Sequence, residues 1–245
     1  MSSRQKRHDP AHSGPTGHDV RLAARVAHAL RYPFDPPHRA YMFRNGRMDP
    51  LDRPDLSGRH AVVASGSNGS AERLTEKFGT DAEVPVTYGT LHDLVPVFAA
   101  RITRYGSVPA TLGVVPGARA GVHVTWLTDA QLAVMHASES VGTGYGWYRL
   151  DGFRFDPDGP HDHDAPLHAY LALFGTLAPQ GRPLPLHEVP QHTAQHHVKQ
   201  AHGHQGDLEH FIGRNLTDED HRQAANRSAA SLSGPIDHPG LVRLL

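Results

Sequence analysis

The stretch His60-Ala-Val-Val-Ala-Ser-Gly-Ser-Asn68 predicts the structure of the first part of the core. It begins with the small apolar residues 61–64, which are typical of a strand that is covered on both faces. The glycine and serines that follow predict a turn, and the composition of residues 70–78 predicts a helix. Such a turn presents backbone N–H groups to an anionic ligand. We therefore predict that residues 65–68 belong to a binding or active site.

Composition narrows the class of protein. The 245 residues are 38% hydrophobic and 20% charged, as in a globular protein, and the net charge is −1. This balance predicts no general affinity for nucleic acid or for an anionic membrane. The chain has no cysteine, which excludes disulfides, thiol nucleophiles and thiolate metal sites. The sequence contains no apolar run of about eighteen residues and no secretory pattern, so we expect a cytoplasmic protein without a membrane segment.

Three regions follow from composition and periodicity. Residues 1–57 read as a mobile tail (1–16), a short amphipathic helix (20–30) with Asp19 as its candidate N-cap, and an extended proline-rich connector (33–57). Residues 58–186 form the predicted core. Residues 187–245 are polar and rich in histidine, so we expect a helical or partly disordered appendage.

The core is predicted to be mostly β. Its β-rich runs cover residues 91–105, 110–115, 120–127, 147–155 and 167–174. Pro116-Gly117 predicts that the second and third runs form a hairpin. Consecutive strands with few helices favour an α+β fold, namely a mixed sheet or a mixed β-barrel of about six strands with flanking helices.

The helix over residues 128–139 carries a candidate catalytic group. Thr128 and Gln131 have the spacing of a capping box, and this fixes the register of the helix. Glu139 then falls on the same side as the apolar residues Leu132 and Met135. Desolvation and the negative end of the helix macrodipole would both disfavour the charged carboxylate, which suits a general base. The alternative is that Glu139 ends the helix and points to water.

The order of these motifs resembles that of the γ-glutamylcyclotransferase-like family. Each motif is short, and their shared order over residues 60–155 carries the resemblance. The matching segments are Gly66-Ser-Asn68, Val108-Pro-Ala-Thr-Leu112, Gly121-Val-His-Val-Thr-Trp-Leu-Thr-Asp-Ala-Gln-Leu132, Met135-His-Ala-Ser-Glu139 and Tyr148-Arg149.

The resemblance implies a compact mixed barrel whose cavity binds a small γ-glutamyl compound. It implies that Glu139 is the general base of a lyase or acyltransferase that releases 5-oxoproline without a metal or cofactor. The turn of Ser65, Gly66, Ser67 and Asn68 would bind the substrate through backbone donors. We also expect a substrate contact from the pair Tyr148-Arg149.

Two residues depart from the family pattern. Ser65 stands where the family has a tyrosine, and His136 stands where it has an aspartate. Both changes bear on substrate identity more than on fold. They leave open a second hypothesis, a non-catalytic ligand-binding or interaction module on the same fold with a metal-binding, histidine-rich end.

Other interpretations of the turn remain. Ser65-Gly-Ser-Asn-Gly69 is one substitution from the nucleophile elbow Gly-x-Ser-x-Gly, which would make Ser67 a hydrolase nucleophile. The regular alternation of strands and helices that supports an elbow is missing. A plain turn with Asn68 capping the next helix is the structural alternative.

Histidine clusters suggest metal binding. They are His161-Asp-His-Asp164, His192 with His196 and His197, and His202 with His204. Compositional bias explains them better than a catalytic metal does, so we expect only adventitious binding. His136 and Glu139 are also spaced to share a metal, but no third ligand is identifiable.

Aromatic and arginine side chains of the β-rich runs are further candidates. Trp126, Trp147 and Tyr145 are placed to line a pocket beside Glu139, although strand aromatics usually pack in a core. Arginines on or beside these runs are candidates to hold a substrate carboxylate. They are Arg101, Arg104 and Arg119.

Overall fold

The computed structural model describes residues 17–34, 36–159 and 165–245. Its helices are α1 (Gly17–Leu30), α2 (Ala71–Phe78), α3 (Asp129–Ser138), α4 (Gln191–His202), α5 (Leu208–Thr217) and α6 (Glu219–Ala230). Its strands are β1 (Tyr41–Arg44), β2 (Arg47–Asp49), β3 (His60–Ala64), β4 (Val84–Phe98), β5 (Ala110–Leu127), β6 (Tyr145–Leu150), β7 (Phe155–Pro157), β8 (Leu167–Ala172), β9 (Thr176–Leu177), β10 (Ser233–Gly234) and β11 (Leu241–Arg243).

Nine of these strands form one mixed sheet, which confirms the α+β class. Its order is β11-β6-β8-β3-β5-β4-β1-β2, and β7 pairs with β4 beside this path. Only β3 and β8 run parallel among the paired strands of the described chain. The prediction of a barrel is wrong, because closure requires the two edge strands to pair and β11 and β2 lie at opposite edges.

The predicted hairpin at Pro116-Gly117 is also wrong. Residues 110–127 form the single strand β5, which pairs antiparallel with β4 along almost its whole length. The register shifts between His92 and Leu94, and the Gly117 N–H donates to Asp93 Oδ1 at 2.6 Å there. Pro116 and Gly117 therefore lie within β5, opposite the place where the pairing of β4 with β5 is irregular.

Several element boundaries also differ from the expectations. The connector contains the strands β1 and β2, and residues 147–155 are divided between β6 and β7. Helix α1 begins at Gly17, so Asp19 lies in its first turn and is not its N-cap. The tail 1–16 and the His161-Asp-His-Asp164 motif lie outside the described residues.

The two faces of the sheet bury separate apolar clusters. One cluster surrounds Trp126 and Leu112, and the other packs Tyr41 and Phe43 against α2 and α3. A third cluster, around Phe98 and Phe211, joins the sheet end to helices α4, α5 and α6. Residues 187–245 thus contribute buried side chains, although the predicted boundary at residue 187 stays an expectation.

The C-terminal helices also hold the segment that follows β4. The Gln195 side chain of α4 donates to the Gly106 carbonyl at 2.5 Å, and Asn226 of α6 accepts from the Ile102 N–H at 2.6 Å. These bonds fix the backbone of residues 102–106 between the sheet and the helices. Among the described residues, no helix has the length and apolarity needed to cross a membrane.

Candidate active site

The turn after β3 is ordered by local hydrogen bonds. Residues Ser67–Gly69 form one 3-10 turn, and Ser70 caps α2 by accepting from the Arg73 N–H at 3.3 Å. Because Ser70 is the cap, the Asn68 side chain is left to reach elsewhere. The alternative in which Asn68 caps the helix is therefore wrong.

Gly66 permits a close approach of the turn to its neighbours. A Cβ at this position would overlap the Tyr32 hydroxyl and would lie 2.9 Å from the Ala110 Cβ. The Tyr32 hydroxyl accepts a hydrogen bond from the Ala110 N–H at 2.9 Å. A residue before the core thus fixes the turn against β5.

Glu139 reaches this turn from helix α3. The capping box of Thr128 and Gln131 is present, and Glu139 is the C-cap, with its side chain 16% exposed. Its Oε1 accepts from Asn68 Nδ2 at 3.0 Å and from Lys77 Nζ at 2.5 Å. Helix α3 therefore meets the turn through a carboxylate–amide bond and meets α2 through a carboxylate–ammonium pair.

Lys77 and Glu139 form an ion pair that is largely shielded from solvent. The Lys77 side chain is 9% exposed. Burial lowers the pKa of Lys77 below its usual range, while the Glu139 carboxylate opposes that shift. Both recorded bonds end on Oε1, and no described residue donates to Oε2. Oε2 is therefore the oxygen available to a ligand.

Glu139 and the turn border one cavity of about 660 Å³. Its wall carries three cations and two carboxylates, which suits a small ligand that bears both signs of charge. The charged lining residues are Arg73, Glu76, Lys77, Arg104 and Glu139. The turn contributes Ser65, Gly66, Ser67 and Asn68 to the same wall.

Four tyrosines line the cavity beside these charges, and three of them, Tyr32, Tyr145 and Tyr170, are well buried. Burial raises the pKa of Tyr32 to about 12, and it raises the pKa values of Tyr145 and Tyr170 as well. The Tyr145 hydroxyl donates to the Ala110 carbonyl at 3.1 Å, and the Tyr170 hydroxyl lies 2.9 Å from His136 Nδ1. These phenols remain protonated at neutral pH and act as neutral polar groups.

The structure does not bring every predicted residue to the cavity. Arg149 bonds Asp151 through two nitrogens at 2.7 and 2.8 Å, and Tyr148 packs on the apolar cluster of the other sheet face. Neither residue lines the cavity. Of the remaining candidates, only Tyr145 and Arg104 line it, while Trp126, Trp147, Arg101 and Arg119 do not.

Ser67 lacks the partner that a nucleophile needs. Its hydroxyl accepts from Arg73 Nε at 3.4 Å, and no histidine is among the described residues of the cavity wall. A serine nucleophile requires an adjacent base. The arrangement therefore does not favour a hydrolase elbow.

Lys77, Tyr32 and Arg73 are site residues that the sequence reasoning missed. Lys77 lies four residues after Arg73 on α2, so one face of this helix points basic groups toward the turn. That spacing was available from the sequence. No such signal marked Tyr32, because it lies 33 positions before Ser65 in the sequence.

Comparisons with known proteins give a fold-level similarity alone. No family model matches the sequence, and no curated protein matches it. The chain is similar to a solved structure titled gamma-glutamyl cyclotransferase, at 15% identity over 75% of this chain and 93% of that chain, with a TM-score of 0.38. It is also similar to uncharacterized protein loc79017 from Homo sapiens, at 16% identity over 76% and 94% of the two chains, with a TM-score of 0.39. At such TM-scores the geometry of the chain itself must carry any assignment.

Proposed function

We propose that this protein is a γ-glutamylcyclotransferase-like enzyme, which releases 5-oxoproline from a γ-glutamyl amine or amide. One observation supports it above the others. The Glu139 carboxylate meets the Gly66–Asn68 turn at a shared cavity and keeps Oε2 available to a ligand. The cavity volume suits a γ-glutamyl compound.

The proposed reaction needs one base and one set of donors. Glu139 Oε2 takes a proton from the α-ammonium group of the substrate, and the free amine nitrogen attacks the γ-carbonyl carbon. Amide hydrogens of the turn stabilise the oxygen that gains charge. The bond between the γ-carbon and the leaving nitrogen then breaks, and this nitrogen receives the proton from Glu139. The attacking nitrogen keeps one proton as the lactam N–H and gives its other proton to the regenerated Glu139 carboxylate, which passes it to the departing amine. The products are 5-oxoproline and an amine.

Cationic residues of the wall suit the α-carboxylate of such a substrate. The Arg73 side chain is 18% exposed and extends beside Ser67, while the Arg104 guanidinium stacks on Tyr105 at 4.9 Å. Arginine binds a carboxylate through two parallel hydrogen bonds. We propose this role for Arg73 and Arg104, and we retain Tyr148 and Arg149 only as the sequence-based expectation.

The alternative function is a non-catalytic ligand-binding module with the same cavity. The Lys77–Glu139 ion pair favours it, because the carboxylate that would serve as the base already has a cationic partner within the protein. In the enzymatic proposal the substrate ammonium competes with Lys77 for this carboxylate. Both functions require no cofactor, and the expected cytoplasmic location stays a prediction.

Release of 5-oxoproline from a panel of γ-glutamyl amines and amides tests the proposal. We expect turnover in the wild-type protein and a loss of about 10²- to 10⁴-fold in Glu139→Gln, as is usual for removal of a general base. The matched control is Glu72→Gln, because Glu72 lies on α2 outside the cavity lining. Full activity of Glu139→Gln would refute the role of Glu139. Binding of these compounds without any release would favour the non-catalytic module.

A further inference from the structure

Three histidines converge where the C-terminal helices meet. His202 ends α4, His204 follows Gly203 in the next loop, and His221 lies on α6. One ring nitrogen of each lies within 4.8 Å of those of the other two. All three residues are partly buried, and none of them lines the Glu139 cavity.

Hydrogen bonds on the outer side of the cluster orient the rings. His221 Nδ1 lies 2.9 Å from the Asn215 side-chain oxygen, which can only accept, so the proton of the neutral ring is on Nδ1. Its Nε2 then presents a lone pair to His204 Nδ1, 3.4 Å away. Metal-binding histidines are oriented in this way by an acceptor on the outer nitrogen.

The other two rings have similar outer partners. His204 Nε2 lies 3.1 Å from His210 Nδ1, which accepts when His204 carries its proton on Nε2. His202 Nδ1 lies 3.5 Å from the Ser228 hydroxyl, whose own hydrogen is donated to the Ala224 carbonyl at 3.2 Å. With these tautomers, His204 Nδ1 and His221 Nε2 are unprotonated and face each other at 3.4 Å.

The spacing of the inner nitrogens matches a metal coordination sphere. Two metal–nitrogen bonds of about 2.0–2.1 Å at a tetrahedral angle place their nitrogens about 3.3–3.4 Å apart. The separation between His204 and His221 already has this value. The longest separation in the group is no more than 4.8 Å, so it exceeds that value by at most about 1.4 Å, and rotation of an imidazole on a loop can close such a difference.

We propose that His202, His204 and His221 form a binding site for a divalent transition metal ion, with Zn²⁺ as the first candidate. Imidazole is a preferred ligand of Zn²⁺, and three protein ligands leave the fourth position to water. Among the described residues no fourth histidine or carboxylate joins the group. The ion would fasten the end of α4 and the loop after it to α6.

A metal ion binds the neutral form of imidazole, through the nitrogen that carries no proton. This site differs from the His192 and His196 pair that the sequence suggests, since both of those side chains are exposed on α4.

Zn²⁺ titration of the full chain, freed of metal with a chelator and carrying no polyhistidine tag, tests the proposal. Calorimetry should show one site that is tighter than all others, and Co²⁺ in its place should give the visible absorption of a tetrahedral complex. We expect His221→Ala to weaken Zn²⁺ binding at this site by at least about tenfold. His210→Ala should weaken it less, because His210 acts through His204.

The double variant His192→Ala/His196→Ala is the matched control, and its tight Zn²⁺ binding should equal that of the wild type. His204→Gln repeats the test at a loop position if His221→Ala fails to fold, as judged by circular dichroism in chelator. Absence of a tight site in the wild type would overturn the proposal. Loss of the site in the control variant, with full binding in His221→Ala or His204→Gln, would overturn it as well.

Discussion

The Glu139 cavity and the histidine cluster gather polar side chains in different ways. The cavity combines opposite charges around an open space of about 660 Å³, and its carboxylate already has an ammonium partner. The cluster brings together three imidazole rings, and one nitrogen of each lies within 4.8 Å of those of the other two. The first arrangement has room for a small molecule, whereas the second has room only for an ion.

The Glu139 cavity and the histidine cluster therefore differ in the kind of ligand that each can attract. The Glu139 carboxylate in the cavity already has a cationic partner, so a ligand must displace or share that partner. Lone pairs face one another in the cluster, so a cation supplies the missing attraction. The two regions should therefore respond independently to substitution and to metal.

The largest effect on stability is expected at the ion pair of the cavity. Lys77→Met leaves the Glu139 carboxylate without its cation, and breaking a buried pair costs about 3–5 kcal/mol. We expect about 3 kcal/mol, because the Glu139 side chain is 16% exposed and faces the cavity. Urea denaturation of Lys77→Met measures this loss in the free energy of unfolding.

A double-mutant cycle shows whether the pair itself is responsible. The combination of Lys77→Met with Glu139→Gln should be more stable than the sum of the two single effects predicts, because no unpaired charge remains. Strict additivity of the two stability losses would mean that Lys77 and Glu139 do not stabilise each other, which would contradict the role of their ion pair.

Zn²⁺ should act on the other region alone. At a hundredfold excess over its dissociation constant, a ligand that binds only the folded state stabilises it by about 2.7 kcal/mol. We expect a corresponding rise in melting temperature on adding Zn²⁺ and its reversal by chelator. Turnover measured under both conditions should stay constant, and a large change in turnover would show that the two regions are coupled.

A smaller effect is expected from filling the space at Gly66. In Gly66→Ala the new methyl group meets the Tyr32 hydroxyl and the Ala110 side chain, and overpacking of this kind costs about 1–3 kcal/mol. Thermal unfolding should show this loss together with weaker ligand binding. Gly213→Ala is the control: the nearest atom to its Cβ is 3.7 Å away, and alanine is the better helix former. Equal losses in both variants would argue against a tightly fixed turn.

The smallest expected effect is the contribution of His123, which lies beneath the turn, to the loss of stability at acidic pH. Burial lowers the pKa of His123, which is 5% exposed, and its ring lies against Gly69. The unfolded chain then binds a proton at this residue more readily than the folded chain, so stability falls as the pH decreases below about 6.5. His123→Gln should lose less stability between pH 7.5 and 5.5 than the wild type. An identical loss in both proteins would remove His123 from this account.

Strand β3 and the start of helix α3 could be predicted from the sequence, because each depends on residues that are close together in the chain. The small apolar run before Ser65 specified β3, and the Thr128 and Gln131 spacing specified the start of α3 and therefore the side on which Glu139 lies. Both features depend on residues a few positions apart. Glu139 and the turn could be paired in advance only through the family resemblance.

Features that depend on distant contacts could not be predicted. The partner of β5 is β4, and this pairing overrides the turn propensity of Pro116-Gly117. Tyr32 reaches the cavity from α1's C-terminal side, and His221 joins His202 and His204 only because α4 and α6 pack together. Periodicity in the sequence does not predict contacts between residues that are this far apart in the chain.

A crystal structure of Glu139→Gln bound to a γ-glutamyl amine would show whether position 139 and the turn contact the same substrate. The substitution should slow turnover enough to keep the compound intact. We expect its α-amino nitrogen within about 3 Å of the side chain at position 139, and its γ-carbonyl oxygen at a similar distance from an amide nitrogen of residues 66–68. A compound bound outside this cavity, or with its amino group turned away from position 139, would contradict the account.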